Sequence, residues 1–335
     1  MAVDFTLVPV RGLLLLILLV VVTPCCVIAQ QSQSNPPALT ATPGAETPEF
    51  KIVKRVDEVN LRFTVTDSRG HFQNQLTSED FSVLDNHRPP AAIHFFQRQS
   101  TLPMRVGILI DVSASVAQSF KFEQKAASVF LQKVLRPGYD QAFVVSFDKN
   151  VHLLEDWISD PNAAFNKVSR LHAGGDTALY DAVIFACDKL RQQPSDNIIA
   201  RPVIVLITDG EDTASKALLY DAQQAVARAE TVVFALSTNV VTVGQYPKGE
   251  AVLDLLTGPS GGEILPTHAS WQLGGAFAEI ERALRSEYVL GYQPADLQPD
   301  GSFRPVEILP HKSRLQVRAR SGYYAPRETA LQQPF

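Results

Sequence analysis

Cysteine is scarce in this sequence, which limits the kinds of site that it can build. The 335 residues include three cysteines, at positions 25, 26 and 187. The first two lie in an N-terminal segment that we expect to be removed, so the mature chain would keep Cys187 alone and could form no intramolecular disulfide. Cys187 shares a helical apolar stripe with Val183 and Leu190, which favours a buried, inert thiol over a nucleophile. Cysteine therefore provides neither a zinc cluster nor a disulfide framework.

An excess of positive charge is also missing. The chain has 30 Lys and Arg residues against 35 Asp and Glu residues, for a formal net charge of -5. Such a chain presents no broad basic surface to a phosphate backbone, so nucleic acid is not expected as a partner. With 45% hydrophobic residues, the chain has enough apolar material for one large domain and a smaller one.

Long hydrophobic runs are absent apart from residues 13–22, which read LLLLILLVVV. A ten-residue helix rises only about 15 Å, about half of a hydrocarbon core, so a permanent transmembrane anchor is not expected. The run follows Arg11 and precedes small residues, which predicts a signal peptide over residues 1–29, cleaved after Ala29, and a secreted or periplasmic protein. A lipid-modified Cys25 is the alternative, although Pro24 suits such a site poorly. Retention of the signal as an anchor also stays open.

The chain after the signal divides by composition and periodicity. Residues 30–49 are rich in Gln, Ser and Pro and predict a disordered tether. Alternating apolar and polar residues predict β-strands in residues 50–100 and again in residues 288–326, which are followed by a tail over residues 327–335. Because neither segment has enough strands for a stable sheet, we predict that the two pair into one small β-sandwich-like domain.

Residues 101–287 have a different pattern. Short, almost wholly apolar runs alternate with segments of helical periodicity, one of which has Ser270 as a possible N-cap. Strands that are buried on both faces have this composition in parallel sheets flanked by helices. The pattern predicts an α/β domain with a doubly wound, mostly parallel sheet, inserted between the two β segments.

Three polar motifs fall where a predicted strand ends or a predicted helix begins. D-x-S-x-S occupies residues 111–115 after one apolar run, G-G-x-T occupies residues 174–177 before a helix, and T-D-G occupies residues 208–210 after another apolar run. The carboxyl ends of parallel strands meet at one edge of the sheet, where open α/β sheets bind their ligands. Two carboxylates and three hydroxyls should therefore converge: Asp111, Ser113, Ser115, Thr177 and Asp209.

This donor set contains only oxygen atoms. Such a set suits Mg²⁺, or else Mn²⁺ or Ca²⁺, and the lack of a nearby Cys or paired His argues against zinc. Small oxygen donors should leave a coordination position open for water or for an incoming oxygen. If the two aspartates act partly through water, the cation stays electrophilic enough to recruit an Asp or Glu carboxylate of a protein partner. Glu211 and Asp212 are expected to belong to a solvated loop and not to the ligand set.

The ordered motifs resemble the von Willebrand factor type A (VWA) domain, a Rossmann-like fold, with its metal-ion-dependent adhesion site (MIDAS). All five MIDAS positions are matched, by Asp111, Ser113, Ser115, Thr177 and Asp209. The flanking segments, with Val65-Thr66-Asp67 and Ser321-Gly322-Tyr323-Tyr324, look like the secreted bacterial proteins grouped as VWFA-related acidobacterial domain proteins. The resemblance covers about residues 50 to 325 and implies metal-dependent protein binding outside the cytoplasm, as in adhesion or a scaffold.

Two other functions remain to be weighed. Strand-terminal Asp111 and the run Asp209-Gly210-Glu211-Asp212 also resemble a Mg²⁺-dependent phosphatase of the haloacid dehalogenase type. That chemistry needs a second carboxylate two residues after the nucleophile, and Ser113 stands there instead. No Ser-His-Asp or Cys-His arrangement is defensible from spacing, so an enzyme is not expected. The third possibility is a structural envelope subunit whose metal only braces the loops.

Overall fold

The computed structural model describes residues 58–99, 101–192, 200–239, 247–266 and 273–327. The predicted signal peptide, the predicted tether, the N-cap position Ser270 and all of the predicted tail except Arg327 lie outside these residues. In the described parts of the chain, no helix is both long enough and apolar enough to cross a membrane.

A six-stranded sheet forms the centre of the α/β part. Its strands are β4 (Met104–Asp111), β5 (Gln141–Phe147), β6 (Val151–Ile158), β7 (Arg201–Thr208), β8 (Val232–Ser237) and β9 (Ile264–Pro266). Their order is β6-β5-β4-β7-β8-β9, and β6 alone runs antiparallel to its neighbour. Every residue of β4 and β7 is buried, because helices cover both faces of the sheet. This explains why the centres of the two strands, residues 106–110 and 203–207, are uninterrupted apolar runs.

Helices cover the two faces of the sheet in two groups. They are α1 (Phe120–Val134), α2 (Phe165–Val168), α3 (Leu179–Arg191), α4 (Leu219–Arg228), α5 (Lys248–Thr257) and α6 (Leu273–Arg285). The first core cluster holds α1 and α6 against one face of β4, and the second holds α3, α4 and α5 against the other. The predicted doubly wound α/β fold is confirmed. Cys187 is buried in the second cluster, and its burial raises the pKa of the thiol, in keeping with an inert side chain.

Two smaller antiparallel sheets use strands from both ends of the described chain. Their strands are β1 (Val59–Asp67), β2 (Phe81–Asp85), β3 (Ala92–Gln99), β10 (Glu287–Gln293), β11 (Phe303–Pro310), β12 (Leu315–Ala319) and β13 (Gly322–Tyr324). The strand orders are β12-β1-β10-β3 and β13-β11-β2. Both sheets bury side chains in one cluster, in which the ring of Phe63 contacts those of Phe81 and Tyr288. The early and late β segments thus share sheets and a core, while the exact domain boundaries stay a prediction.

A buried ion pair joins β7 of the central sheet to β10. Arg201 Nε lies 2.9 Å from Glu287 Oε2, and both side chains are almost wholly buried. Arg201 also donates to the carbonyl oxygens of Leu284 and Gln99. Burial raises the pKa of Glu287, and the positive charge of Arg201 opposes that rise. Because β7 begins at this pair and ends beside the D-x-S-x-S motif, the pair anchors the strand that supports the candidate site.

Candidate metal centre

Asp111 is the final residue of β4, so the strand ends one residue later than the apolar run at 106–110 predicts, and its side chain is fully buried. Its Oδ1 accepts a hydrogen bond from the backbone N–H of Ser113 at 2.8 Å. Its Oδ2 accepts one from the hydroxyl of Thr208 at 2.6 Å. Because each carboxylate oxygen has a donor, the side chain is held in one orientation at the carboxyl end of the strand.

The environment of Asp111 disfavours its negative charge. Burial raises the pKa of this carboxyl to about 6, hydrogen bonds from Thr208 and Ser113 oppose the rise, and the charge of Asp209 adds to it. A cation beside a buried carboxylate reverses this balance, since its positive charge favours the ionised form. The position is therefore electrostatically suited to a cation.

Ser113 and Ser115 bring two hydroxyl oxygens together just beyond Asp111. The two Oγ atoms lie 2.9 Å apart. Ser113 is buried and Ser115 is exposed, so the pair leads from the interior to the solvent. Adjacent oxygen ligands of an octahedral Mg²⁺, each about 2.0–2.1 Å from the ion, are about 2.9 Å apart. The spacing of the two hydroxyls therefore fits neighbouring ligands of one small hard cation.

Backbone hydrogen bonds fasten the G-G-x-T loop to the D-x-S-x-S loop. The N–H of Gly174 donates to the carbonyl of Val112 at 2.7 Å, and the N–H of Ala114 donates to the carbonyl of Gly175 at 2.9 Å. Gly175 has a φ of +89°, a conformation that glycine adopts at little cost. The two loops thus form one continuous hydrogen-bonded surface.

Thr177 follows this turn, two residues before α3, and is buried. Its N–H donates to the hydroxyl of Thr213 at 2.9 Å, and its carbonyl accepts from the N–H groups of Thr213 and Ala214 at 2.8 and 2.9 Å. These bonds tie the second motif to the loop that follows T-D-G. The structure brings all three motifs to the carboxyl edge of the central sheet.

Asp209 directly follows β7 and is partly exposed. Its Oδ1 accepts from the N–H of Glu211 at 3.0 Å, and its carbonyl accepts from the side-chain amide of Asn239 at 2.7 Å. The carbonyl also lies so close to Gly249 in α5 that a Cβ there would collide with it. Glu211 itself is exposed, as expected for a solvated loop. Asp209 thus sits on a loop fixed from two sides.

Two residues close to this site, Thr208 and Glu123, are not among the ligands predicted from the sequence. Thr208 stands in the T-D-G motif, but its hydroxyl contact with Asp111 depends on strand register and has no sequence signature. Glu123, on the buried face of α1, has no exposed surface. Its Oε1 accepts from the Ser119 hydroxyl at 3.0 Å, whereas its buried Oε2 has no hydrogen-bond partner.

Glu123 also interacts electrostatically with the two aspartates. Burial, followed by the negative charge of Asp111, raises its pKa well above the usual value, and the charge of Asp209 contributes to the rise. The sequence does offer one indication of Glu123, because an acidic residue spaced three and four positions from Phe120 and Ala127 falls on the apolar stripe of a helix. The raised pKa means that burial favours the neutral form of Glu123, so this residue adds a buried carboxyl near the site and no fixed negative charge.

The donor chemistry at this edge is that of a hard cation. Within the part of the chain that the structure describes, no three His, Cys, Asp or Glu residues are grouped to hold a metal ion. The candidate set instead combines two carboxylates with three neutral hydroxyls, which suits Mg²⁺ or Mn²⁺ better than zinc. The residues present therefore fit a divalent cation bound by oxygen.

The family comparison supports the fold class reached above. Residues 106–211 match the model of the von Willebrand factor type A domain. The chain therefore contains a von Willebrand factor type A domain, and the matched residues include all three polar motifs. The narrower resemblance to VWFA-related acidobacterial proteins stays a prediction. A search of curated proteins gave no match.

Solved structures with similar folds have low sequence identity to this chain. A von Willebrand factor type A protein from Catenulispora acidiphila is 14% identical, with a TM-score of 0.46, over 82% of this chain and 74% of its own. BatB from Bacteroides thetaiotaomicron is 16% identical, with a TM-score of 0.44, over 54% of this chain and 98% of its own. Proximal thread matrix protein 1 from the mussel byssus, with a zinc-occupied MIDAS motif, is 12% identical, with a TM-score of 0.45, over 60% and 50%.

Proposed function

We propose that this protein is an exported, metal-dependent protein-binding module that recruits an Asp or Glu side chain of a partner. The observation that carries the proposal is the pair of Ser113 and Ser115 hydroxyls, 2.9 Å apart, beside the buried carboxylate of Asp111. Export rests on the signal peptide expected from the sequence. The use of such a module would be adhesion or scaffolding at the cell envelope.

Each site residue has a distinct role in this proposal. Ser113, Ser115 and Thr177 offer neutral hydroxyl ligands, while Asp111 and Asp209 balance charge directly or through water. When bound, Mg²⁺ or a related cation supplies an electrophilic position for an anionic oxygen. Because Ser115 is exposed and Ser113 is buried, a partner would approach from the Ser115 side.

The surroundings of the site favour binding over catalysis. The hydroxyl of Ser113 lies 2.9 Å from that of Ser115, and a neighbouring hydroxyl is no general base. The position two residues after Asp111 offers a serine, not the acid that a phosphatase of the haloacid dehalogenase type would use. Without an activated nucleophile, an open position on a hard cation is best suited to hold a carboxylate.

Selection of displayed peptides on the purified protein in Mg²⁺ would test the proposal. Selected peptides should share an Asp or Glu, and replacing that acid by its amide should weaken binding at least about tenfold, because a charged ligand is lost. Removal of the metal with EDTA should weaken peptide binding to a similar extent. Ser113→Ala should abolish binding, whereas Ser128→Ala, which removes a hydroxyl bonded to the Gln124 carbonyl within α1, should not.

The same experiment distinguishes the alternatives. Peptide binding that survives both the amide replacement and EDTA would refute the recruiting role. If calorimetry still showed that the protein binds Mg²⁺, the metal would be a structural brace, as in the envelope-subunit alternative.

A further inference from the structure

A cleft of about 270 Å³ lies at the other end of the central sheet from the metal centre. Val232, at the start of β8, lines the cleft and is paired with Val203 near the start of β7. The candidate metal ligands instead follow the carboxyl ends of β4 and β7. Residues of α4, α5, β1 and β13 complete the walls, so the cleft lies where the helices meet the smaller sheets.

The walls of the cleft are mainly apolar. Val226 and Leu256 are buried in its wall. Tyr220, Leu255 and Phe303 also line it, with exposed fractions of 63%, 48% and 43%. Large apolar side chains that cluster at a concave surface while remaining exposed are typical of ligand sites. This concentration of exposed aromatic and aliphatic surface favours a ligand with an apolar body.

Positive charge exceeds negative charge around the cleft. Glu230 is paired with Arg320, whose Nη1 lies 2.7 Å from its carboxylate. Arg62 also lines the cleft, and its Nε is buried and has no hydrogen-bond partner among the described residues. Its positive charge acts on Glu287, but that carboxylate already has Arg201 as its ion-pair partner. The guanidinium of Arg228 lies 4.4 Å from the ring centre of Tyr324, another lining residue. Because the buried Nε–H of Arg62 lacks an acceptor, the cleft favours a ligand that carries an anionic hydrogen-bond acceptor.

We propose that this cleft binds a small amphipathic anion, with an aromatic or aliphatic body and a single carboxylate or sulfonate. The body would lie against Val226, Leu256 and the aromatic rim, and the anionic group would be drawn to Arg62. The volume of the cleft is close to the lower limit for small-molecule sites, about 300 Å³, which restricts the ligand to a small molecule. The proposal does not depend on the metal centre.

Two fluorescent probes with the same rings separate the contributions of charge and apolar contact. Anilinonaphthalene sulfonate carries an anionic group, and phenylnaphthylamine is its uncharged parent. We expect one equivalent of the sulfonate to bind, equally well in Mg²⁺ and in EDTA, and more tightly than the parent. Arg62→Gln should weaken binding of the sulfonate about tenfold or more and leave the parent unchanged, because only the charge-assisted contact is lost.

Two further substitutions test the location. Ala227→Trp, which fills the cleft from its α4 wall, should abolish binding of both probes. Phe303→Ser should weaken both, whereas the matched control Phe165→Ser removes an aromatic of similar exposure, 47% against 43%, outside the cleft and should change neither. Circular dichroism would verify that each variant is folded. Sulfonate binding that is unaffected by Arg62→Gln in a folded protein, or that persists in Ala227→Trp, would overturn the proposal.

Discussion

The hydroxyl of Thr208 at the end of β7 donates a 2.6 Å hydrogen bond to the buried carboxylate of Asp111 at the end of β4. The same hydroxyl oxygen accepts the N–H of Gly210 at 3.0 Å. One side chain thus links the first and third motifs, and it fixes both the orientation of Asp111 and the start of the loop that carries Asp209.

Thr208→Val keeps the shape of this residue but removes the donor. We expect it to weaken Mg²⁺ binding about tenfold, because a buried carboxylate oxygen without its donor costs about 1–3 kcal/mol and loses its fixed orientation. Titration calorimetry would measure the change. Thr257→Val is the matched control, since this buried hydroxyl donates to the Leu253 carbonyl far from the site. Equal losses of affinity in the two variants would contradict the role given to Thr208.

Removal of either site aspartate should eliminate metal binding. Asp111→Ala and Asp209→Ala each leave the charge of a cation less compensated, so we expect neither variant to bind measurable Mg²⁺ or Mn²⁺. Glu211→Ala should change affinity only slightly, because Glu211 is exposed. Calorimetry on the three variants provides the comparison, and similar losses in all three would show that the site is a diffuse acidic surface.

The raised pKa of Asp111 predicts the pH dependence of stability in EDTA. Since this pKa is about 6 in the folded protein against 3.8 for an ordinary Asp side chain, the folded state binds more protons than the unfolded state between these values. Stability from this group is thus highest below pH 4 and is lost as the pH rises through about 6, by up to about 3 kcal/mol. Glu123 acts in the same direction.

The variant Asp111→Asn isolates this contribution. Its free energy of unfolding in EDTA, relative to that of the wild type, should increase between pH 4 and pH 7, because only the wild type loses stability as Asp111 ionises. Added Mg²⁺ should stabilise the wild type at pH 7 and not the variant. Urea denaturation at a series of pH values gives the result, and a constant difference between the two proteins would be inconsistent with the raised pKa.

Two glycines provide a test of how α5 supports Asp209. A Cβ at Gly249 would collide with the carbonyl of Asp209, whereas a Cβ at Gly258 would meet nothing within 4 Å. We therefore expect Gly249→Ala to displace the Asp209 loop and weaken Mn²⁺ binding at least about tenfold, since such a collision forces a backbone shift. Gly258→Ala should bind Mn²⁺ as the wild type does. Unchanged Mn²⁺ affinity in Gly249→Ala would show that metal binding does not depend on the position of the Asp209 loop.

Much of the α/β fold was predictable because strands that are buried on both faces must consist largely of apolar residues. β4 and β7 are covered on both faces, so each has a continuous apolar run at its centre, and a polar residue of the site closes each strand at its carboxyl end. The meeting of the three motifs follows from parallel strands, whose carboxyl ends share one edge.

What sequence could not provide was contact across strands and layers. The bond between Thr208 and Asp111 depends on the register that pairs Ile110 with Ile207, and no periodicity specifies that register. Periodicity places Glu123 on the buried face of α1. Its proximity to Asp111 and Asp209, however, depends on how the helix packs against the sheet. The Arg201–Glu287 pair connects residues distant in sequence for the same reason.

The most direct test of the central claim is anomalous diffraction from a crystal of the protein grown with Mn²⁺. The account predicts a single strong anomalous peak at the carboxyl edge of the central sheet, about 2.1 Å from the Oγ atoms of both Ser113 and Ser115, and its absence in crystals of Ser113→Ala. A peak bound elsewhere, or no peak at a Mn²⁺ concentration that saturates the protein in solution, would contradict the assignment of this site.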